Sequence, residues 1–252
     1  MDIETAERGV PYSIVVPTIY GSVIANRYDI NQTNGLIKQG RSPNHQSIEL
    51  LHGVCQHRTA DPFVIDVGAN FGLFSLGLAK LMKGRGVYHA FEAQRVIFNM
   101  LAGSVALNGY LNIFCHHVAI GNGFGQIEIP QFDYNVEMNF GSIEFAAEQR
   151  EHLHQQRGQD ASRREFVELR SLDSYEFPRA DIVKIDVEGM EADVLKGARR
   201  LIERHRPVLQ VEFIKSDARA LHDHISSFGY KIFISDIDFV CLPVELAAIV
   251  ES

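Results

Sequence analysis

The sequence predicts a doubly wound α/β fold built on a mostly parallel, seven-stranded sheet. Short apolar runs alternate with helical segments from residue 63 to residue 120 and again from residue 181 to residue 228. Such alternation builds parallel strands through right-handed crossover connections. A glycine-rich turn follows the first apolar run, and two closing runs lie only four residues apart, which is typical of a terminal antiparallel hairpin.

Each element follows from its local pattern, because short apolar runs favour buried strands and longer amphipathic segments favour helices. The predicted strands of the sheet are Phe63 to Val67, Gly86 to Phe91, Asn112 to Ile120, Asp181 to Val187, Val208 to Phe213, Lys231 to Ile234 and Phe239 to Leu242. The predicted helices between them are Gly72 to Met82, Arg95 to Asn108, Glu191 to Arg204 and Ala218 to Phe228.

Residues 1–60 are expected to form an N-terminal elaboration that packs on a core domain at 61–252. Apolar runs at Tyr12 to Val16 and Ile19 to Ile24 predict a hairpin-like start. Ser47 to Val54 carries apolar residues at a three-residue step, which predicts a short helix leading into the core.

Residues 121–170 interrupt the alternation and are predicted to be an insertion that covers the substrate. This segment holds a glycine-rich turn and the apolar strand pattern of Gln126 to Ile129. Its polar run from Glu148 to Arg164 is interpreted as a solvated helix or a mobile loop, since it lacks a sustained apolar face.

Composition argues against several classes of protein. The chain has 24 Lys and Arg against 32 Asp and Glu, a formal net charge of −8, and nucleic-acid binding depends on basic residues that neutralise phosphates. Cys55, Cys115 and Cys241 lie far apart, which favours reduced thiols over a disulfide framework. Because no apolar run approaches the length of a membrane helix and no signal peptide is visible, we expect a cytoplasmic protein without a membrane span.

The segment from Val64 to Gly72 predicts a nucleotide-like ligand. It is a buried strand followed by a glycine-rich turn at the start of a helix. Glycines in such a turn let the backbone approach a ligand, and the unpaired N–H groups at the helix N-terminus can donate hydrogen bonds to it. Gly68 and Gly72 do not match the G-x-G-x-x-G dinucleotide spacing, and no Lys-Ser/Thr pair follows as a Walker loop requires.

Two acids favour S-adenosylmethionine over NAD as this ligand. Asp66 lies at the end of the first strand, where a carboxylate would repel a pyrophosphate but would suit the ammonium of an amino acid. Glu92 ends the next strand, a place from which an acid can accept hydrogen bonds from both ribose hydroxyls.

Three motifs stand out in the chain: Val64-Ile65-Asp66-Val67-Gly68-Ala69-Asn70-Phe71-Gly72, Ala90-Phe91-Glu92-Ala93 and Asp181-Ile182-Val183-Lys184-Ile185-Asp186-Val187-Glu188-Gly189-Met190-Glu191. Together they resemble the motifs of the FkbM family of S-adenosylmethionine-dependent methyltransferases. The resemblance covers about residues 63–213 and implies a Rossmann-like class I methyltransferase sheet that serves O-methylation, often of sugars or secondary metabolites. It implies cofactor contacts at Asp66, Gly68, Asn70, Gly72 and Glu92, and an active-site floor at Asp186 and Glu188. Ala69, Ala93 and Ala119 complete the expected cofactor contacts.

The catalytic candidates follow the later strands, since ligands of open α/β sheets lie at the carboxyl ends of strands beside the topological switch point. Asp186 and Glu188 follow one strand and Glu212 ends the next. An attacking alcohol must lose a proton to a base within hydrogen-bond reach, and these acids are candidates for that base. His45 is a fourth candidate, because elaborations that precede the core commonly cover the cofactor. Acids and histidines could together bind Mg²⁺ or another divalent ion, but no tight spacing of metal ligands is visible, so a metal-free enzyme is favoured and no metal site is assigned.

The resulting hypothesis is an S-adenosylmethionine-dependent O-methyltransferase that acts on a hydroxyl of a sugar or secondary metabolite, with a small-molecule or glycan acceptor. A catalytically silent cofactor-binding module is an alternative, since fold does not fix function, and an NAD-dependent reductase is a less favoured one. No nucleic-acid partner is expected, and the sequence leaves a homodimer open.

Overall fold

A computed structural model describes residues 10–140 and 159–250. Its strands are β1 (Ser13–Thr18), β2 (Gly21–Asn26), β3 (Phe63–Val67), β4 (Val87–Glu92), β5 (Ile113–His117), β6 (Ala119–Ile120), β7 (Gly125–Phe132), β8 (Gln159–Arg170), β9 (Ile182–Ile185), β10 (Val208–Glu212), β11 (Tyr230–Ser235) and β12 (Asp238–Pro243). Its helices are α1 (Gln32–Gln39), α2 (His45–Arg58), α3 (Leu73–Leu81), α4 (Arg95–Leu107), α5 (Glu191–Gly197), α6 (Arg199–His205), α7 (Ala218–Ser227) and α8 (Val244–Val250).

The central sheet has seven strands in the order β11-β12-β10-β9-β3-β4-β5. Strands β5, β4, β3, β9 and β10 are parallel, and β12 runs antiparallel to both of its neighbours. The chain leaves β3 toward β4 on one side and later returns to β9 on the other, so the topological switch point lies between β3 and β9. The predicted fold class, including the terminal antiparallel hairpin, is confirmed.

Two large apolar clusters pack against opposite faces of this sheet. Side chains of a strand alternate between the two faces, and accordingly Val64 of β3 belongs to one cluster whereas Ile65 and Val67 belong to the other. The first cluster includes residues of α2, α3 and α4, and the second includes residues of α5, α6 and α7. Helices therefore cover both faces, and the carboxyl ends of the parallel strands are left to form a crevice.

The N-terminal segment is tied to the sheet through α4. Strands β1 and β2 form the predicted antiparallel hairpin, and the N–H of Ile24 donates to Ser104 Oγ at 2.8 Å while the N–H of Ser22 donates to Asn108 Oδ1 at 2.9 Å. These hydrogen bonds fix the position of the hairpin on α4, and so the point from which the chain continues toward α2.

Helix α1 was not predicted, because Thr33, Asn34 and Gly35 in its first half have low helix propensity. In the structure, the Asp29 carboxylate accepts the N–H groups of Asn31 and Thr33, at 3.1 and 3.0 Å, and so stabilises the start of the helix. Burial of Leu36 then holds α1 in place. A tertiary contact thus overrides the local preference.

Two predicted elements differ from the structure, and a further helix was not predicted. The predicted helix Glu191 to Arg204 is interrupted at Ala198, giving α5 and α6. The predicted strand Asn112 to Ile120 is interrupted at Val118, and its last two residues form β6 in a second sheet with β8 and β7. The chain also adds α8 after the hairpin.

Residues 148–158 of the polar run from Glu148 to Arg164 lie outside the described residues. Its remaining residues belong to β8, which pairs antiparallel with β7, so the interpretation as a helix or loop is wrong for that part. Pairing between strands stabilises this polar segment in place of an apolar face. One example is the ion pair between strands in which Arg164 Nε lies 3.0 Å from Glu128 Oε1.

None of the helices in the two described ranges has the length and hydropathy that crossing a bilayer requires.

Candidate active site

A cavity of about 300 Å³ lies at the carboxyl ends of β3, β4, β9 and β10. Residues from the β3–α3 loop and from the end of β4 line it, as do residues that follow β9 and β10. The N-terminal segment also contributes to the wall, through Asn31, Gln32, Ser42, Pro43, Asn44, Ser47 and Ile48. The crevice expected from the sheet topology is therefore present and partly covered by residues that precede the core.

The glycine loop is held between two neighbouring strands. The N–H groups of Gly68 and Ala69 both donate to the carbonyl oxygen of Phe91, at 3.0 and 2.9 Å. Gly68 has φ +78°, and a Cβ at this position would lie 1.8 Å from the carbonyl oxygen of Asp186. Only glycine lets the loop approach the end of β9 so closely. Gly68, Ala69 and Asn70 all line the cavity, as expected of cofactor contacts.

Gly68→Ala is expected to lower the free energy of unfolding by about 1–3 kcal/mol more than Gly84→Ala does, the usual range for overpacking. Gly84 is a matched control because it has a similar φ of +76° but no atom within 4 Å of the added Cβ. Urea unfolding of both variants measures the difference. Equal losses in the two variants would show that the contact between the added Cβ and the Asp186 carbonyl oxygen does not destabilise the protein.

Gly72 and Asp66 do not line the cavity, and direct cofactor contacts for these two residues stay a prediction. Gly72 has φ +86° and caps α3, and a Cβ there would lie 2.6 Å from Leu101 Cδ1. The Asp66 side chain is fully buried, accepts the Ser75 hydroxyl at 2.7 Å and lies 3.6 Å from Lys184 Nζ. Both residues shape the loop from beneath.

Glu92 lines the cavity at the end of β4. Its Oε2 accepts the N–H of Asn70 at 2.9 Å and its Oε1 accepts the N–H of Gln94 at 2.8 Å. Burial raises the pKa of Glu92 to about 7, although both N–H bonds oppose the rise. Each oxygen keeps a further lone pair for a hydroxyl donor. Ala93 and Ala119 line the same cavity.

Three carboxylates meet on the other side of the cavity. One oxygen from each of Asp186, Glu188 and Glu212 lies within 4.8 Å of the other two. Asp186 Oδ2 accepts Lys184 Nζ at 3.1 Å, and Glu188 pairs with Lys215. The structure therefore brings together the three acids that the sequence proposed as catalytic.

Burial and mutual repulsion change the acidity of this cluster. The pKa of Glu188 is raised to about 8, chiefly by burial and then by Asp186. The pKa of Glu212 is raised to about 9, again chiefly by burial and then by Asp186 and Glu188. Carboxylates with raised pKa values in a cleft are typical of functional sites.

Glu191 is a supporting residue to which sequence reasoning assigned no role. Its side chain is almost fully buried, and its Oε1 accepts the N–H groups of Val187 and Gly189, each at 3.1 Å. Ser216 donates to its other oxygen. These bonds hold the turn in which Glu188 has φ +59°. The sequence feature that could have identified Glu191 is its position as an acid in the first turn of a helix that follows a strand.

His45 lies beside the cavity but does not line it. Its Nδ1 is 2.9 Å from the Tyr20 hydroxyl and its Nε2 is 3.4 Å from Glu49 Oε1. Neighbouring Asn44 and Ser47 face the cavity instead. A catalytic role for His45 stays a prediction, and the arrangement gives it structural partners.

Comparisons with known proteins identify relatives among methyltransferases. Methyltransferase sdnD of Sordaria araneosa is 28% identical over 162 residues, which cover 55% of this chain and 61% of the relative. A crystal structure of methyltransferase FkbM from Methylobacillus flagellatus KT has a TM-score of 0.51 at 22% identity, and the match covers 72% of this chain and 43% of that chain. M. jannaschii TYW2 in complex with AdoMet has a TM-score of 0.46 at 14% identity, covering 92% of this chain and 84% of that chain.

This chain thus spans less than two thirds of the first two relatives, and the likeness to the FkbM structure shows the fold. A family model described as the methyltransferase FkbM domain matches residues 66–232. These residues make up more than half of the chain and include Glu92 and the three clustered carboxylates. The chain therefore belongs to the methyltransferase FkbM domain family, and its cofactor is S-adenosylmethionine.

Proposed function

We propose that this chain transfers the methyl group of S-adenosylmethionine to a hydroxyl oxygen of a sugar or secondary metabolite. The observation that carries the proposal is the shared cavity, in which the glycine loop and Glu92 face the carboxylates of Asp186, Glu188 and Glu212. A cofactor on one side and candidate bases on the other are the two requirements of methyl transfer to an alcohol.

The role of each residue is assigned from its position in the cavity. Glu92 accepts the ribose hydroxyls, and the loop from Gly68 to Asn70 supports the rest of the cofactor. Methyl transfer is an in-line displacement, so the main task is to hold the acceptor oxygen about 3–3.5 Å from the methyl carbon. The Asp186 side chain is 25% exposed, more than Glu188 at 13%, and it is the group that we assign to orient or deprotonate the acceptor.

Apolar residues next to the carboxylates support an acceptor that also has a carbon surface. Met190, Ile214 and Ile237 line the same cavity as Glu188, Glu212 and Asp238, and each lies within two residues of one of these acids in the chain. Such a mixture of convergent polar groups with apolar walls is typical of small-molecule sites. The acceptor we propose is a small molecule or a glycan terminus.

Methyl transfer from isotopically labelled S-adenosylmethionine to a panel of hydroxylated acceptors tests this function. The panel should hold sugar nucleotides, glycosides and hydroxylated polyketides, with mass spectrometry to locate the label. We expect a methyl ether that resists mild base, unlike a methyl ester. Label on nitrogen, carbon or carboxylate would contradict O-methylation, and cofactor binding without transfer to any acceptor would favour a catalytically silent module.

The affinity for S-adenosylhomocysteine is expected to rise with pH up to about 7 and then to level off, because ribose hydroxyls bind the ionised form of Glu92. Below its pKa the free site holds a proton that binding must release, so affinity falls by up to about tenfold per pH unit. Calorimetric titrations from acidic to basic pH measure this slope. Glu92→Gln should remove it, while titration of the ligand's own amino group remains in both proteins. An identical profile in the variant would contradict the assignment.

A further inference from the structure

The three clustered carboxylates have the geometry of a cation site. We propose that Asp186, Glu188 and Glu212 together bind one hard divalent cation, of the class of Mg²⁺, Mn²⁺ and Ca²⁺. One oxygen from each residue lies within 4.8 Å of the other two. Hard cations prefer oxygen ligands, with carboxylates foremost among them.

The separation of the oxygens suits such an ion. Ligands on opposite sides of Ca²⁺ lie about 4.6–5.2 Å apart, and those on opposite sides of Mg²⁺ about 4.0–4.2 Å apart, given their usual bond lengths. The oxygens of the cluster all lie within 4.8 Å of one another, so side-chain rotations that draw them together would let them share one ion. A smaller movement is needed for Ca²⁺ than for Mg²⁺, because its bonds to oxygen are longer.

An unpartnered buried oxygen is the second observation that points to a ligand. Glu212 is 8% exposed, and its Oε2 has no hydrogen-bond partner among the described residues. A buried carboxylate without a partner is costly, and Glu212 faces the cavity that Asp186 and Glu188 also line. A bound cation would satisfy this oxygen.

The local charge balance also favours a cation. Lys184 neutralises Asp186, and Lys215 neutralises Glu188. Asp238, itself buried, adds another acid to the same wall. Lys184 is shared with the buried Asp66, from which its Nζ lies 3.6 Å, so acids outnumber lysines on this wall of the cavity.

No motif in the sequence identifies this site, because its ligands come from two strands. Asp186 and Glu188 follow β9, whereas Glu212 ends β10 after the intervening helices α5 and α6. Metal motifs are recognised by short fixed spacings, and parallel neighbours in a sheet bring distant residues together without one. The expectation of no metal site rested on spacing alone.

A role in catalysis rests on the proposed function, whereas cation binding does not. Three protein oxygens leave positions open on a cation that takes six or more ligands. An acceptor hydroxyl in one of these positions would be polarised and would lose its proton more readily. A second acceptor oxygen in another position would fix its orientation, which favours acceptors with neighbouring oxygens.

Electron paramagnetic resonance titration of the full chain with Mn²⁺, without cofactor or acceptor, tests the site directly. We expect one saturable site from which Mg²⁺ or Ca²⁺ displaces Mn²⁺. Glu212→Gln and Asp186→Asn should each weaken Mn²⁺ binding by at least about tenfold, the loss seen even for outer-shell partners of metal ligands. The control is Asp223→Asn, which removes an exposed carboxylate of α7 and should leave binding unchanged.

Lys215→Met gives a test of opposite sign, because it removes the cation that competes for Glu188. It should tighten Mn²⁺ binding several-fold, whereas a variant that merely loosens the fold would weaken it. Binding of S-adenosylhomocysteine shows that each variant is folded. No saturable Mn²⁺ binding, or equal binding in wild type and Glu212→Gln, would overturn the site.

Activity assays with and without a chelator separate this inference from the proposed function. Mn²⁺ binding without O-methyl transfer would support the site and contradict the function. Transfer at full rate in excess chelator by a protein that binds no Mn²⁺ would do the reverse.

Discussion

Asp186→Asn is expected to lower the rate of methyl transfer by about 10²–10⁴, the usual contribution of a general base, while the affinity for S-adenosylmethionine stays close to wild type. The amide keeps the volume of the carboxylate but loses its charge and its ability to accept a proton. Cofactor affinity should persist because Glu92 and the glycine loop lie on the other side of the cavity. Single-turnover transfer to the true acceptor, with saturating cofactor, measures the loss.

Asp193→Asn is a matched control for this change, because it removes a half-exposed carboxylate of α5 that pairs with Lys196. Its transfer rate should equal that of wild type. A wild-type rate in Asp186→Asn would remove Asp186 from the mechanism and would direct the search to Glu212 and His45.

Lys184→Met is expected to lower the free energy of unfolding by about 3–5 kcal/mol, the usual cost of removing one partner of a buried ion pair. Lys184 is 8% exposed, and its Nζ lies 3.6 Å from Asp66 Oδ1 and 3.1 Å from Asp186 Oδ2. It also donates to the carbonyl oxygen of Gly68 at 3.3 Å. Without the ammonium, Asp66 is a fully buried acid whose remaining bond is to Ser75. Urea unfolding measures the loss.

The deficit in Lys184→Met should grow as pH rises. Burial already raises the pKa of Asp66, and loss of the lysine raises it further, so the folded variant keeps Asp66 protonated. The unfolded chain releases that proton above about pH 4, which makes unfolding progressively easier toward neutral pH. Asp66→Asn in the same chain should recover part of the loss.

Lys196→Met provides the comparison, because Lys196 is 52% exposed and makes a surface pair with Asp193. Such pairs contribute about 0–1 kcal/mol. Equal losses in Lys184→Met and Lys196→Met would show that Lys184 does not hold the buried acids together.

The fold could be predicted from sequence because β3, β4, β9 and β10 lie in mostly apolar runs, which are typical of buried parallel strands. Helix α1 could not, because its stability comes from the Asp29 side chain and from burial of Leu36. The interruption at Val118 also escaped prediction, since apolar residues occur on both sides of it and it is pairing with β8 that places Ala119 and Ile120 in a second sheet.

The site was predictable where one strand end determines it. Glu92 is the last residue of β4 and Asp186 comes directly after β9, and both residues line the cavity. The role of Asp66 was not predictable in the same way, because the alternation of side chains turns it beneath the loop toward Ser75 and Lys184. Glu212 was also expected to flank the same crevice as Asp186, but the distance between their oxygens depends on the register of β9 and β10, which no local pattern encodes.

Calorimetric titration of S-adenosylhomocysteine into wild type and Glu92→Ala tests most directly the claim that this cavity holds the cofactor between the glycine loop and Glu92. The account predicts micromolar binding to wild type and a loss of about 1.5–3 kcal/mol in Glu92→Ala, the scale of hydrogen bonds to a charged group. NADH should not bind either protein. Equal dissociation constants in the two proteins, or binding of NADH without binding of S-adenosylhomocysteine, would contradict it.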